Sequence, residues 1–224
     1  GAENLLAWWR EEEWVRGRGE RPGGGVEEGG KVAGLWTGKK SNDDMIARVR
    51  RAFYFGDERT PTQDLEYSID QLVEVAVRAL SPGINDPFTA MSCIDWLGSA
   101  LIRVAGRELP SGWRYDDERR LRIIAKTTDF AGMAAAAFNQ IRQYGSTSVA
   151  VMLRLLETLA KVAPHLRRET DRAVLREHAR KIRDDGGAQV KNRSDRAEIE
   201  GRIACTERAL ARGQRKTIHS SILT

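Results

Sequence analysis

The 224-residue sequence has few of the residues that mark disulfide scaffolds, metal centres and nucleophilic catalysis. Its two cysteines, Cys93 and Cys205, form no C-x-x-C pair, which argues against a disulfide framework and a zinc site and favours a reducing compartment. The three histidines lie in the last third of the chain, outside any H-E-x-x-H pattern and without a G-x-S-x-G motif. We expect His165 and His178 to lie on helix surfaces. The sequence therefore gives no sign of Ser-His or Cys-His catalysis, and we expect no cofactor.

Long apolar runs are also absent. A membrane-spanning helix needs about 18 consecutive apolar residues, whereas the longest run here covers only residues 131–138 and is mostly alanine. No basic segment followed by apolar residues opens the chain, so nothing marks it for secretion. We therefore expect the chain as given to be soluble and to lie in the cytoplasm.

The composition is that of an ordinary soluble protein, with 41% hydrophobic and 31% charged residues. The net charge of +5 is uneven, because residues 164–224 hold 15 Lys and Arg against nine Asp and Glu. This predicts a basic helical C-terminal region, most simply a solvated surface. Binding of anionic lipid or of nucleic acid by this region stays open as an alternative, although we expect no nucleic acid.

Turn signals and residue periodicity predict a mostly helical α+β fold. Alternation predicts a small N-terminal β-hairpin, with strands over residues 14–18 and 31–36. It also predicts a second short hairpin near 113–127, for which a short helix is the alternative. We predict three parts: a helix and hairpin element over 1–40, a helical main domain over 41–186, and a basic C-terminal helix and tail over 187–224.

The clearest helix signals are two pairs of a capping residue followed by proline. Thr60-Pro61 and Asp86-Pro87 both place a cap before proline at the first helical position. Apolar residues then recur every three or four positions, as one buried helical face requires. The predicted helices cover residues 3–13, 42–54, 61–80, 87–106, 130–144, 149–163, 164–185 and 195–213, and residues 186–193 are predicted to form a loop.

The corner between these two capped helices, residues 81–87, is the most informative stretch. Two prolines fix φ, Gly83 permits positive φ, and Asn85 and Asp86 can bond free backbone groups. The simplest interpretation is a rigid corner with Asp86 as a helix cap. The alternative is a ligand site, in which amide groups at the helix start bind a carboxylate or phosphate with the help of nearby arginines. The residues predicted to form this polar core or ligand notch are Arg59, Gln63, Asp64, Gln71, Arg78, Ser81, Asn85 and Asp86.

Acidic residues on the helix over 61–80 leave a metal-dependent alternative open. Glu66, Asp70 and Glu74 recur at four-residue steps and share one face, where carboxylate oxygens could ligate a hard divalent ion. A solvated face with a Glu74–Arg78 ion pair is the favoured interpretation. No pattern of general base or nucleophile supports catalysis, so we expect neither catalytic residues nor a metal. The alternative, a metal-assisted hydrolase, would use Glu66, Asp70, Asp64 and Asp86.

Three stretches of the sequence resemble one protein family. They are RTPTQDLEY over residues 59–67, RALSPGINDPFTA over 78–90, and FNQIRQYG over 138–145. Together they are similar to the bacterial predicted membrane proteins of domain of unknown function 2254, and the resemblance covers most of residues 4–185. The run RALSPGINDP is highly specific.

The resemblance implies topology rather than chemistry. Members of the family carry transmembrane helices in the N-terminal half and a soluble C-terminal half, which this chain resembles. The chain would then be a non-enzymatic cytoplasmic domain of a multi-pass bacterial inner-membrane protein, acting as an assembly or regulatory module. Its partners would be its own transmembrane half and further copies in a homo-oligomer, with anionic lipid a further candidate at the basic C-terminal region.

Overall fold

The mostly helical α+β fold predicted from the sequence is confirmed. The computed structural model describes residues 14–18, 24–37, 43–53, 55–59 and 64–212. Outside these residues lie the helix predicted over residues 3–13, Gln63 and the tail beyond residue 212.

Internal contacts group the chain into two units. The first unit takes residues 1–67 and 109–128, and the second takes residues 68–108 and 129–224. Both units are therefore discontinuous in sequence, and each is described by itself below.

The first unit holds a four-stranded sheet in the order β2-β1-β4-β3. The antiparallel pairs β1–β2 and β3–β4 confirm the two hairpins predicted from the sequence. Strand β1 also pairs with β4 in parallel, with Arg16 opposite Ile123, so the two hairpins form one sheet. The strands are β1 (Trp14–Arg18), β2 (Ala33–Thr37), β3 (Trp113–Tyr115) and β4 (Leu121–Ile124), and the unit also contains helix α1 (Asp43–Arg51).

A buried ion pair fixes the β3–β4 hairpin. Asp116 accepts hydrogen bonds from the backbone nitrogen of Arg120 at 2.8 Å and from Nε of Arg122 at 2.7 Å. The side chains of Asp116 and Arg122 are each only 3% exposed. Burial by itself would raise the pKa of Asp116, but the hydrogen bonds from Arg122 and Arg120 outweigh it and lower that pKa to about 2.

The second unit is a helical bundle around one central helix, α5. This helix contacts α3, α4, α6 and α7. It is buried on several sides because its apolar residues form a broad face. The buried residues of this face include Val151, Met152, Leu155, Leu156 and Leu159. The helices are α2 (Leu65–Ala79), whose first three residues group with the first unit, α3 (Pro87–Ala105), α4 (Phe130–Tyr144), α5 (Val149–Val162), α6 (Glu169–Gln189) and α7 (Arg193–Ala211).

The predicted helix over 164–185 is wrong at both ends. Pro164 belongs only to a 3-10 turn, Ala163–His165, and Leu166 is extended before α6 begins. The predicted loop at Gly186 and Gly187 is helical, because the buried positions of α6 continue through Gly186 and packing outweighs the low helix propensity of glycine. The domain boundary predicted between residues 186 and 187 therefore falls inside α6.

Within the part of the chain that the structure describes, α3 is the single helix long and apolar enough to cross a membrane by length and composition. It has 19 residues, and its most apolar window has a mean hydropathy of 1.2. The same helix packs on α4 and α5 through a buried stripe that includes Ile94, Leu97 and Leu101. A core helix of a soluble bundle meets the same criterion, so this property alone is weak evidence for a membrane span.

Candidate functional site

Two of the predicted site residues, Arg59 and Asp64, are in contact in the first unit. Oδ2 of Asp64 accepts a hydrogen bond from Nε of Arg59 at 2.8 Å, and a second guanidinium nitrogen lies 2.7 Å from the same oxygen. The guanidinium also lies over the ring of Tyr67, 5.2 Å from its centroid, in a cation–π contact. Asp64 is buried while Arg59 is partly exposed. The arginine is thus held in place by a carboxylate and an aromatic ring together.

Asp64 also sets the start of α2. Its Oδ1 accepts a hydrogen bond from the backbone nitrogen of Tyr67 at 3.2 Å, which is the geometry of an N-terminal cap. Helix α2 therefore begins at Leu65. The cap and helix start predicted at Thr60 and Pro61 lie outside the described residues.

In the second unit, the corner over residues 81–87 bonds largely to itself. The carbonyl oxygen of Ser81 accepts hydrogen bonds from the backbone nitrogens of Ile84 at 3.0 Å and Asn85 at 2.8 Å. The hydroxyl group of Ser81 donates to the carbonyl oxygen of Arg78 at 2.7 Å. Asn85 has a φ of 50°, a left-handed conformation that asparagine tolerates better than most residues. These bonds give the corner a fixed backbone path.

Asp86 caps α3, as the sequence predicts. Its Oδ1 accepts from the backbone nitrogens of Phe88 and Thr89 at 3.0 and 3.1 Å, and its Oδ2 accepts from the Thr89 hydroxyl at 2.6 Å. The Thr89 hydroxyl, together with these backbone groups, lowers the pKa of Asp86. The backbone nitrogen of Asp86 donates to the Ala79 carbonyl oxygen at 2.8 Å, which ties the start of α3 to the end of α2.

The eight predicted site residues divide between the two units. Arg59 and Asp64 belong to the first unit, whereas Ser81, Asn85 and Asp86 belong to the second. The remaining described members, Gln71 and Arg78, are exposed on α2, and Arg78 pairs with Glu74 as predicted. The corner has the geometry of a rigid connection, and binding of a ligand there stays a prediction.

The acidic stripe on α2 is not uniform in its surroundings. Glu66 is buried and Asp70 is half-buried, and both have interaction partners, while Glu74 is exposed and paired with Arg78. Among the residues that the structure describes, no group of three or more His, Cys, Asp or Glu is arranged to hold a metal ion. The hydrolase alternative receives no support from this geometry.

Several of the arginines that make the C-terminal region basic are paired with carboxylates. Nη1 of Arg180 lies 2.8 Å from Asp184 on one side, and Nη2 lies 2.6 Å from Glu177 on the other. Arg183 reaches Glu207 on α7 at 2.5 Å, and further pairs join Arg176 to Glu169 and Arg202 to Glu157. Binding of anionic lipid or nucleic acid by this region stays a prediction from charge alone.

His178 is the residue that sequence analysis misplaced. Predicted to lie on a helix surface, it is only 4% exposed and packs edge-on against Phe138, with ring centroids 5.9 Å apart. Burial, with smaller effects from Lys181 and Arg142, lowers its pKa to about 4. The signal was present in the sequence, because Leu175, His178, Ala179, Ile182 and Gly186 follow helical spacing along one buried face. His165, in contrast, is exposed as predicted.

Comparison with known proteins defines the class to which this fold belongs. Residues 2–161 match a family of predicted membrane proteins. The chain belongs to that family, described as Predicted membrane protein (DUF2254). The matched residues include all three stretches on which the resemblance rests.

The relatives are mycobacterial and uncharacterized. Uncharacterized protein Rv1290c of Mycobacterium tuberculosis and uncharacterized protein Mb1321c of Mycobacterium bovis are each 30% identical to the chain over 183 residues. The aligned region is 80% of this chain and 35% of each relative, so the chain spans about a third of the length of the relatives it matches. No solved structure is significantly similar to the chain.

Proposed function

We propose that the chain is a soluble, non-enzymatic domain of a multi-pass bacterial inner-membrane protein, and that it works on the cytoplasmic side as an assembly module. Membership of a predicted membrane protein family supports the membrane context. The relatives' greater length leaves room for a transmembrane part, which would be one partner of this domain. The second partner is another copy of the same chain.

The observation that carries the assembly role is the exposed face of α3. Phe88 and Trp96 lie on this face and are 76% and 68% exposed. Ser92 lies between these two residues, and its hydroxyl donates to the carbonyl oxygen of Phe88 at 3.0 Å. Ser99 lies beyond Trp96, and its hydroxyl donates to the carbonyl oxygen of Asp95 at 2.9 Å.

This bonding makes the α3 face more apolar than its sequence suggests. A serine hydroxyl that bonds to the backbone of its own helix needs no water partner. The face therefore presents two large aromatic rings on a helix whose opposite side is anchored in the bundle. Exposed aromatic side chains on a rigid element are typical of surfaces that bind another protein. A symmetric contact between two α3 helices would cover the same rings on both copies.

The test is the mass of the protein in solution. Sedimentation velocity of the wild-type chain over a range of concentrations should show reversible self-association. The variant Phe88→Ser/Trp96→Ser should remain monomeric with an unchanged circular dichroism spectrum. The matched control, Tyr144→Ser, removes an aromatic residue that is 56% exposed on α4, and it should associate like the wild type.

Two results would contradict the proposal. One is a wild-type chain that is monomeric at every concentration, both alone and within the longer protein in detergent. The other is a double variant that associates as strongly as the wild type. A rise in Tm on addition of magnesium, manganese or calcium would instead favour the metal-dependent alternative.

A further inference from the structure

One face of the β3–β4 hairpin in the first unit exposes large apolar side chains. Trp113 and Tyr115 alternate along β3 with the half-buried Arg114, and they are 59% and 50% exposed. Ile124 lies opposite Trp113 in the antiparallel register and is also exposed. Residues that are partners in such a register point to the same side, with Cβ atoms about 5 Å apart. The three side chains therefore form one apolar patch, named the hairpin patch.

The hairpin patch occupies positions that usually hold polar residues. Antiparallel strands commonly bury one face and present polar side chains on the other. The buried side of this hairpin is supplied by Ile123, which is the partner of Arg114 in the register. The patch is on the opposite side, so it does not contribute to that packing. Large apolar side chains grouped on an outward face indicate that another surface covers them.

The hairpin holds the patch on a fixed backbone. Asp116 accepts hydrogen bonds from the backbone nitrogens of Glu118 and Arg120 at 3.1 and 2.8 Å, and it pairs with the buried Arg122. Arg119 completes the turn with a φ of 60°. Because the turn is already ordered by these bonds, covering the patch costs little conformational entropy.

The surroundings of the hairpin patch are basic. Residues 113–126 hold five Lys and Arg against three Asp and Glu. Asp116 and Arg122 are both buried and neutralise each other, which leaves four basic and two acidic residues. Of the basic residues, Arg119 in the turn and Lys126 beyond β4 are exposed. A surface of this sign attracts the anionic headgroups of a bilayer.

The composition of the hairpin patch favours lipid over a protein partner. Tryptophan and tyrosine have an apolar body and a polar tip, and they are enriched at the level of the lipid headgroups. Three side chains are few for a stable protein contact, which uses about 20–30 residues on each side. A few rings can enter a bilayer interface without a complementary partner surface. The chain also belongs to a family of predicted membrane proteins, so a bilayer surface is available to it.

We propose that the hairpin patch, formed by Trp113, Tyr115 and Ile124, inserts into the interface of a bilayer that contains anionic lipid. Arg119 and Lys126 then lie near the headgroups. The inference rests on the membrane context proposed above, but not on self-association through the α3 face. Vesicle binding and mass in solution are separate measurements, so either proposal can fail without the other.

Flotation with lipid vesicles measures this contact. The wild-type chain should float with vesicles that mix phosphatidylcholine and phosphatidylglycerol, and bind more weakly to phosphatidylcholine alone. Trp113→Ser should weaken the binding by about tenfold or more, because it removes the largest apolar side chain of the patch. Trp113→Tyr keeps an aromatic ring with a polar tip and should retain most of the binding.

Arg119→Gln tests the contribution of charge. It should weaken binding to the mixed vesicles about fivefold, as expected for one basic residue near an anionic surface. High salt should reduce the binding of the wild type without abolishing it, because salt screens charges but leaves the apolar contact. Arg119→Gln and Trp113→Tyr keep the test decisive if Trp113→Ser does not fold, which circular dichroism checks.

Matched controls separate the hairpin patch from other surfaces of the chain. Tyr115→Ser should weaken vesicle binding, whereas Tyr144→Ser removes a similarly exposed ring from α4 and should not. Arg167→Gln/Arg168→Gln removes two exposed charges from the basic C-terminal region. This double variant should weaken the binding less than Arg119→Gln does.

Three outcomes would overturn the proposal. The first is a wild-type chain that does not float with the vesicles containing phosphatidylglycerol. The second is binding that is unchanged in the folded Trp113→Ser variant. The third is a larger loss in Arg167→Gln/Arg168→Gln than in Arg119→Gln, which would move the lipid contact to the C-terminal region.

Discussion

The methyl group of Thr158 on α5 lies against the backbone of Gly98 on α3, where a Cβ atom added to Gly98 would be only 2.3 Å from Thr158 Cγ2. Both residues are buried, at the contact between the central helix and α3. Glycine is needed here for the close approach of two helices rather than for an unusual backbone conformation. The contact positions α3, whose other side is the aromatic face proposed for assembly.

The variant Gly98→Ala should destabilise the protein by about 1–3 kcal/mol, because overpacking a buried contact forces the helices or the Thr158 side chain to move. The measurement is the free energy of unfolding in urea. Gly201→Ala is the matched control, since that glycine is also helical but faces open space. The control should be neutral or stabilise by up to about 1 kcal/mol, from helix propensity alone. Equal effects of the two substitutions would show that the close contact is not what matters at Gly98.

The same contact predicts a rescue. Thr158→Ala removes the methyl group that a new side chain at position 98 would meet, and it also removes a buried hydroxyl without a hydrogen-bond partner. The double variant Gly98→Ala/Thr158→Ala should therefore be more stable than the sum of the single changes predicts, by about 0.5–3 kcal/mol as for other contacting pairs. A double-mutant cycle in urea measures this coupling energy. Strict additivity would mean that the strain of Gly98→Ala is relieved elsewhere.

Arg172 should be one of the most important polar residues for stability. Its Nη2 donates to the Leu166 carbonyl oxygen at 2.6 Å and its Nη1 to the Ala163 carbonyl oxygen at 3.2 Å, and the side chain is buried. These bonds hold the turn between α5 and α6. Arg172→Met keeps much of the apolar stem but leaves both carbonyls without this donor, which should cost about 2–4 kcal/mol.

The control for Arg172 is Arg180→Met. Arg180 is exposed and, within the described part of the chain, bonds to Glu177 and Asp184 on its own helix. Exposed pairs of this kind contribute little to stability. A loss of stability in Arg180→Met as large as in Arg172→Met would contradict the argument from burial. Urea unfolding of both variants gives the comparison.

Local signals in the sequence predicted much of the fold. The cap at Asp86 was predicted correctly, because a capping side chain bonds to backbone groups only two or three residues away. The parallel pairing of β1 with β4 was not predicted, since it joins strands that are distant in sequence. The helix through Gly186 was missed because its stability comes from packing rather than from propensity.

The candidate sites show the same limit. Local motifs located the corner over residues 81–87, and its bonds are local too. The contact of His178 on α6 with Phe138 on α4 joins residues that no sequence motif connects. His178 was assigned to the surface by residue type, although the spacing of its apolar neighbours placed it on the buried face of α6.

A single substitution at Asp86 tests whether its side chain caps α3. Asp86→Ala removes the acceptor for two backbone nitrogens and one hydroxyl, and should lower the Tm by about 2–4 °C, as loss of a cap does in a protein of this size. Asp86→Asn keeps a capping oxygen and should retain most of the stability. Scanning calorimetry measures both, and an unchanged Tm in Asp86→Ala would contradict the capping role.

The buried imidazole of His178 predicts how stability depends on pH. Its pKa is about 4 in the folded protein, lowered mainly by burial and also by Lys181 and Arg142, while nearby Glu177 opposes the shift. The ordinary histidine pKa of 6.5 applies in the unfolded chain. Between these values the unfolded state binds a proton that the folded state does not, so acid favours unfolding.

The contribution of His178 is therefore complete above about pH 6.5 and is lost as the pH falls towards 4, by up to about 3 kcal/mol. Urea unfolding at several pH values should show this slope in the wild type and a flatter one in His178→Met, which cannot be protonated. His165→Gln, at an exposed position, should keep the wild-type slope. Parallel curves for the wild type and His178→Met would mean that the imidazole takes up its proton in the folded protein as readily as in the unfolded chain.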